Sequence, residues 1–320
     1  MTTKTLRHLL GEAEAGRYGV GAFNVSDLNQ AVAVLDAARA EASPVIVQAI
    51  AGMHPYQDEI RWWKQLRALV DSYSDVSVAL HLDHGRTLAD CTRAMDTGFT
   101  SVMIDASRRV EDDRPASLED NIARTAEVVA LARRCGVSTE GELGTVGGAE
   151  AGIGASAEDI IFADPDTAAH FVEATGVDAL AVAVGTSHGA VKFTTAEGGQ
   201  TLRLSLISAI KERLPDTFLV LHGSSSIPPE HVRTINAHGG KLPESYGVSS
   251  EQKQEGIAHG IRKINQGTDS HLAWTAALRE FLTTHPSVME PSEAIACAMS
   301  SMRAIVSLRM REFGSSGQSA

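Results

Sequence analysis

Three histidines each stand at the end of an apolar run and each is followed by glycine: His84 in Leu82–Gly85, His188 in Thr186–Gly189 and His222 in Leu221–Ser225. A polar side chain in such a run is costly unless it is paired or used. Three imidazoles that converge and leave a fourth position open make a catalytic zinc site; three separately hydrogen-bonded histidines are the alternative. Carboxylates accompany them. Asp83 precedes His84 and could pass a proton to and from a reacting hydroxyl, or orient a metal-bound histidine. Glu140 and Glu142, two apart in another predicted strand, face the same way. Glu142, and more weakly Asp105, are candidate alternate metal ligands. Glu150 lies in a Gly- and Ala-rich stretch. A carboxylate there could enter the site on a mobile loop once substrate is bound, or remain a solvated loop charge.

A second constellation suits an anion. Gly189, Gly223, Ser224 and Ser225 offer backbone N–H groups and hydroxyls without bulk. Lys192 adds charge, and Asn265 and Thr268 close the last apolar run. With a formal net charge of −12, the chain can hold a small anion only through such a local positive site, and general nucleic-acid binding is excluded.

These residues need a scaffold that brings strand ends together. Eight apolar, β-branched segments (19–25, 44–50, 77–84, 101–106, 137–144, 178–185, 218–224 and 262–268) alternate with Ala-, Leu-, Glu- and Arg-rich helical patterns such as Leu28–Glu41, Leu118–Cys135 and Pro165–Thr175. Continuous apolar runs of this kind are buried parallel strands. Eight strand–helix units predict a single-domain (β/α)8 TIM barrel over residues 1–313, with its chemistry at the C-terminal end. A doubly wound sheet is the runner-up, weakened because no GxGxxG follows the first strand. Two long insertions, Thr145–Asp159 and Ser224–Glu255, follow the fifth and seventh strands, and residues 314–320 read as a disordered tail.

The remainder is bland. The chain is 43% hydrophobic and 21% charged, as ordinary globular proteins are. Cys91, Cys135 and Cys297 are sparse and odd in number, which fits a reduced cytoplasm. Neither a signal peptide nor a membrane span is predicted. His81 is expected to point into the barrel, and Trp62–Trp63 to pack a helix or a subunit contact.

At this point the chain resembles the class II fructose-bisphosphate aldolases, most nearly the branch associated with carbon fixation. The matching stretches are GAFNV (21–25), LDHG (82–85), GFTSVMID (98–105), EGELG (140–144), DALAVAVGTSHGAVKF (178–193), LVLHGSSS (219–226) and GIRKIN (260–265). The resemblance implies zinc on His84, His188 and His222. It gives Asp83 the proton of the hydroxyl beside the cleaved bond and Glu150 the proton at the donor carbon. Asn24 would position substrate, and Gly189, Lys192, Gly223, Ser225, Asn265 and Thr268 would hold dihydroxyacetone phosphate. Zinc would act as a Lewis acid, with no lysine Schiff base. A monovalent cation (Na⁺ or K⁺) and a homodimer or larger homo-oligomer are also implied.

Three departures lie at the acceptor end. Ile50 stands where the family usually has Ser, Gly267 where it has Asp, and His271 where close relatives have an Arg that holds the far phosphate. The loop between Gly148 and Gly154 is also shorter. Only Arg gives a permanent two-pronged charge, so the expected acceptor is not glyceraldehyde 3-phosphate. Ordinary fructose- or tagatose-bisphosphate cleavage is the second reading. A zinc hydrolase or a non-catalytic barrel is the third.

Overall fold

Strands that are apolar on both faces need cover on both, and a chain that alternates strand with helix supplies it. The computed structural model describes residues 3–144, 147–150, 153–155, 162–188 and 202–319. In chain order the strands are β1 (Val20–Asn24), β2 (Val45–Ile50), β3 (Val78–Gly85), β4 (Ser101–Ile104), β5 (Ser138–Leu143), β6 (Gly147–Glu150), β7 (Ile153–Ala155), β8 (Ala179–Val182), β9 (Ser187–His188), β10 (Phe218–Leu221) and β11 (Ile261–Gln266). The helices are α1 (Leu6–Gly16), α2 (Leu28–Ala40), α3 (Glu59–Ser72), α4 (Leu88–Asp96), α5 (Leu118–Cys135), α6 (Pro165–Thr175), α7 (Leu204–Arg213), α8 (Pro229–Ala237), α9 (Ser250–Ala258), α10 (Thr268–Thr284) and α11 (Pro291–Glu312). Strands β1, β2, β3, β4, β5, β8, β10 and β11 close a parallel barrel in that order, the predicted (β/α)8 fold. The other three form a small sheet in which β6 runs antiparallel to β7 and parallel to β9.

Side-chain period two divides each strand into an outer and an inner row. Outer residues such as Val47, Leu80, Leu82, Val102, Leu180 and Leu221 pack under the helices. Trp62 and Trp63 are buried in the same cluster, as expected of helix-packing residues. The inner row begins apolar: Val20, Ile46, Ala79, Met103, Ala179 and Val220 meet Leu6, Leu9 and Leu10 of α1, which stoppers the barrel's N-terminal end. Toward the C-terminal end the inner row becomes polar, with Gln48, His81, Glu140, Glu142, His222, Lys263 and Asn265 all buried. Ala179 and Ala181 of β8 stand in register with Glu140 and Glu142, and their small side chains leave room for the polar layer.

The tail is a correction. Residues 314–319 are held against the end of α2: Gly317 N–H donates to Glu41 O and Ser319 N–H to Ala42 O, each at 2.8 Å, and the buried Ser315 hydroxyl is 2.8 Å from that of Ser43. Backbone donors find acceptors there that Gly/Ser composition does not reveal.

Helices α10 and α11 are joined by a buried ion pair, Arg309 Nε to Asp269 Oδ2 at 2.8 Å. Removing one member of such a pair typically costs about 3–5 kcal/mol. Arg309→Met should lower the urea unfolding free energy by about that amount; a loss under about 1 kcal/mol would place this pair with the weak surface bridges.

Candidate active site

Asp83 and His84 are adjacent in β3, so a regular strand would point them to opposite faces. The register prevents this: Leu82 pairs with Val102 but Gly85 with Ile104, three steps along β3 against two along β4. This is a bulge, a device that re-aims side chains. It is built on a left-handed His84 (φ +47°), a conformation non-glycine residues seldom adopt, and on Gly85, where a Cβ would sit 2.7 Å from Met103 O. As a result Asp83, His84 and His222 bring one ligand atom each within 4.8 Å of one another.

Carboxylates then set the imidazoles. Glu140 Oε1 lies 2.8 Å from His222 Nε2 and Asp105 Oδ2 lies 3.3 Å from His84 Nδ1. Both carboxylates are ionised in the fold. Burial pushes each up, but the Lys263 ammonium and the His222 bond hold Glu140 well below the usual range. The hydrogen bonds from His84 and Ser107 do the same for Asp105. A carboxylate only accepts, so those ring nitrogens are the donors. His222 Nδ1 and His84 Nε2, which face each other at 3.2 Å, are therefore both directed as lone pairs. Two nitrogens about 2.0–2.1 Å from one tetrahedral zinc stand about 3.3 Å apart, so the donor set fits a shared cation. Glu142 is 3.8 Å from His84 Nδ1; burial, and then Asp105, push its carboxyl well above the usual range. His84, Asp105 and Glu142 form a second convergent group.

Asp83 is held by amides. Its Oδ2 accepts from Asn24 Nδ2 at 2.8 Å and Gln48 Nε2 at 3.1 Å, and its Oδ1 from Asn265 Nδ2 at 3.2 Å. Gln48 also donates to Asn24 Oδ1 at 2.9 Å, which locks the pair.

The family profile "Fructose-bisphosphate aldolase class-II" matches residues 4–318. The chain belongs to that family. It is a lyase of the aldolase type, similar to the fructose-bisphosphate aldolase of Rhizobium meliloti (strain 1021) at 44% identity, over 100% of this chain and 92% of the relative. The same figures hold for the fructose-bisphosphate aldolase of Nostoc commune. In fold it is similar to the crystal structure of the YdjI aldolase from Escherichia coli K12, with TM-score 0.78 and 24% identity over all of both chains.

For this aldolase several sequence-predicted residues are placed only as backbone or not at all. His188 lies in β9 and Glu150 in β6, with Gly148 opposite His188, so the glutamate's strand runs beside the histidine's; the side chains of both are outside the described residues. Gly189 and Lys192 are outside them entirely. Gly223 follows His222 in a left-handed conformation (φ +62°). The Ser224 hydroxyl donates to Asn265 O at 2.6 Å and accepts from Gln266 Nε2 at 3.1 Å, which leaves its backbone N–H as the group it could offer an anion. Ser225 is buried, and Thr268 opens α10 rather than closing a strand.

Of the three departures, Ile50 pairs in register with Asp83 and shares the inward face of Gln48. Gly267 abuts Asn24: a Cβ there would lie 3.1 Å from Asn24 Oδ1. His271 lines a cavity of about 360 Å³ with Thr268, Lys241, Thr275 and Arg279. Sequence reasoning missed Gln48 and Lys263. Their signal was available, since both are polar at the inner parity of otherwise apolar strands.

His81 points into the barrel as expected, fully buried, its Nδ1 2.7 Å from Ser101 Oγ and its Nε2 3.4 Å from Lys263 Nζ. Burial, then the Lys263 ammonium, push its pKa down from 6.5 to about 3. The unfolded chain thus binds a proton that the fold does not. The stabilisation is complete above pH 6.5 and is lost as pH falls toward 3, at up to about 1.4 kcal/mol per pH unit. Urea unfolding of His81→Gln across that window should show a shallower acid limb, by about one proton. An unchanged slope would mean that His81 is not held neutral.

Proposed function

We propose that this aldolase cleaves and forms the carbon–carbon bond beside the carbonyl of a ketose phosphate, with dihydroxyacetone phosphate as donor and zinc on His84, His188 and His222. The observation that carries the reading is the pair of imidazole nitrogens facing each other at 3.2 Å beside Asp83. Zinc there would supply Lewis-acid stabilisation of the oxyanion that develops on the donor. The rest falls to the chain. Asp83, immobilised by Asn24, Gln48 and Asn265, accepts the proton of the hydroxyl beside the breaking bond. The bonding electron pair passes to the donor carbon, and Glu150 delivers a proton to that carbon. In condensation both transfers reverse. Gly189, Lys192, Gly223, Ser225 and Thr268 hold the donor phosphate.

The closing experiment combines metal analysis with two proton readouts. The purified protein should hold about one zinc per chain, and His222→Ala should lose both metal and turnover. Loss of a positioned acid–base group costs about 10²–10⁴ in rate. Glu150→Ala should slow solvent exchange of the donor's proton by that order, whereas Asp83→Ala should impair cleavage more than exchange. Full activity without metal, or borohydride trapping of a lysine imine, would sink the mechanism. A zinc hydrolase would exchange no donor proton at all.

The acceptor is proposed to lack the far phosphate. Ile50 and Gly267 remove polar groups from the mouth, and His271 replaces a guanidinium. A lost charge-assisted pair is worth about 1.5–3 kcal/mol, or about 10- to 150-fold in kcat/KM. Across a panel of ketose 1-phosphates and bisphosphates, fructose 1,6-bisphosphate should be a poor substrate. His271→Arg with Ile50→Ser should improve it. The relatives' names favour the second reading, ordinary bisphosphate cleavage. In that case the wild type prefers the bisphosphate, and Lys241→Ala or Arg279→Ala, in the cavity that His271 lines, lowers that preference.

A further inference from the structure

The barrel interior holds a full positive charge that the proposed chemistry does not use. Lys263 lies on β11, across the lumen from β5, and is completely buried. Its ammonium donates to Glu140 Oε2 at 2.8 Å, while the other oxygen of the same carboxylate takes the His222 Nε2–H at 2.8 Å. Each carboxylate oxygen therefore has a hydrogen-bond partner, with His81 Nε2 a further 3.6 Å neighbour of Oε2, and the plane of the group is fixed by them. Lys263 also approaches His81 Nε2 at 3.4 Å, whose other nitrogen is tied to Ser101; this leaves the ammonium little freedom.

We propose that Lys263 is a positioning residue for the metal centre: by anchoring one oxygen of Glu140, it aims the other at His222 Nε2 and so keeps the His222 Nδ1 lone pair turned toward His84. The inference rests on the proposed metal reading for its purpose, but its geometric content stands in the metal-free protein. An amide in place of the carboxylate could present either its oxygen or its NH2 group to His222. Only the charged pair, with the ammonium claiming Oε2, leaves His222 a pure acceptor as neighbour. A role confined to filling the lumen would instead be served equally by a neutral pair of the same size.

The test uses ¹⁵N-histidine-labelled full-length protein, stripped of metal, with the His222 ring signals assigned by their loss in His222→Gln. Wild type should show a single tautomer, protonated at Nε2. Lys263→Met removes the charge at similar length. Because that variant leaves a buried carboxylate uncompensated and can fail to fold, the deciding variant is Lys263→Met with Glu140→Gln, which buries no charge. It should melt cooperatively, show a mixture of His222 tautomers, and bind zinc about 10–100-fold more weakly, the usual cost of losing an outer partner of a metal-bound histidine, measured by competition with a chromophoric chelator. A folded double variant with one tautomer and wild-type zinc affinity would overturn the proposal. So would a wild type with His222 protonated at Nδ1. A wild type that shows the single Nε2–H tautomer yet binds no zinc would instead overturn the metal reading while leaving the positioning intact.

Discussion

A carboxylate at the centre of a closed barrel is a severe constraint, because transfer of an isolated charge out of water costs far more than a fold can spare. Glu140 is fully buried, and much of the lumen is arranged around it. The opposite charge comes from Lys263 across the barrel, the remaining oxygen is taken by His222, and His81 and Ser101 complete the layer around the ammonium. Space comes from β8, whose inward residues beside the glutamates are Ala179 and Ala181. Below this layer the lumen is mostly apolar and closed by α1, with the Ser138 hydroxyl accepting from the Arg7 backbone N–H at 3.1 Å. The polar layer is thus a floor on which the mouth of the barrel stands.

That floor governs one histidine; the bulge in β3 governs the other. A carboxylate and an imidazole that must both face the mouth cannot be neighbours on a flat strand. The chain solves this by inserting a residue against β4 and holding His84 in a left-handed backbone conformation. Such strain persists only when the surroundings over-determine it. Here Asp105 binds the His84 ring, three amides bind Asp83, and Gly85 permits close approach of the β4 backbone.

Much of this was legible in the sequence because cost is legible. Eight apolar runs announced buried parallel strands, and His84, His222, Asp83 and Glu140 stood out as polar residues where polar residues are expensive. Gln48 and Lys263 obeyed the same rule. Each stands in its strand without a histidine or a carboxylate beside it, so the residue types alone suggested no chemistry. The bulge was invisible for another reason: period two forbids Asp83 and His84 from sharing a face, and only the register with β4 reveals the exception. The direction of the Ser224 hydroxyl was invisible too, because residue type says nothing about which neighbour it bonds. The tail misled because Gly and Ser composition reports low apolar content, not whether backbone N–H groups meet free carbonyls at the end of α2.

The proposed acceptor end obeys weaker rules. Ile50, Gly267 and His271 lie at or beyond the strand ends, where function is grafted on a fixed scaffold. Gly267 shows how the two regions meet. Its missing Cβ leaves Asn24 undisturbed, with its oxygen on Gln48 and its amide on Asp83. The Cβ of any larger residue at this position would start 3.1 Å from that oxygen, tighter than ordinary carbon–oxygen contact, so Asn24 would have to give way. Glycine at this position therefore leaves the amides of Asn24 and Gln48 on Asp83.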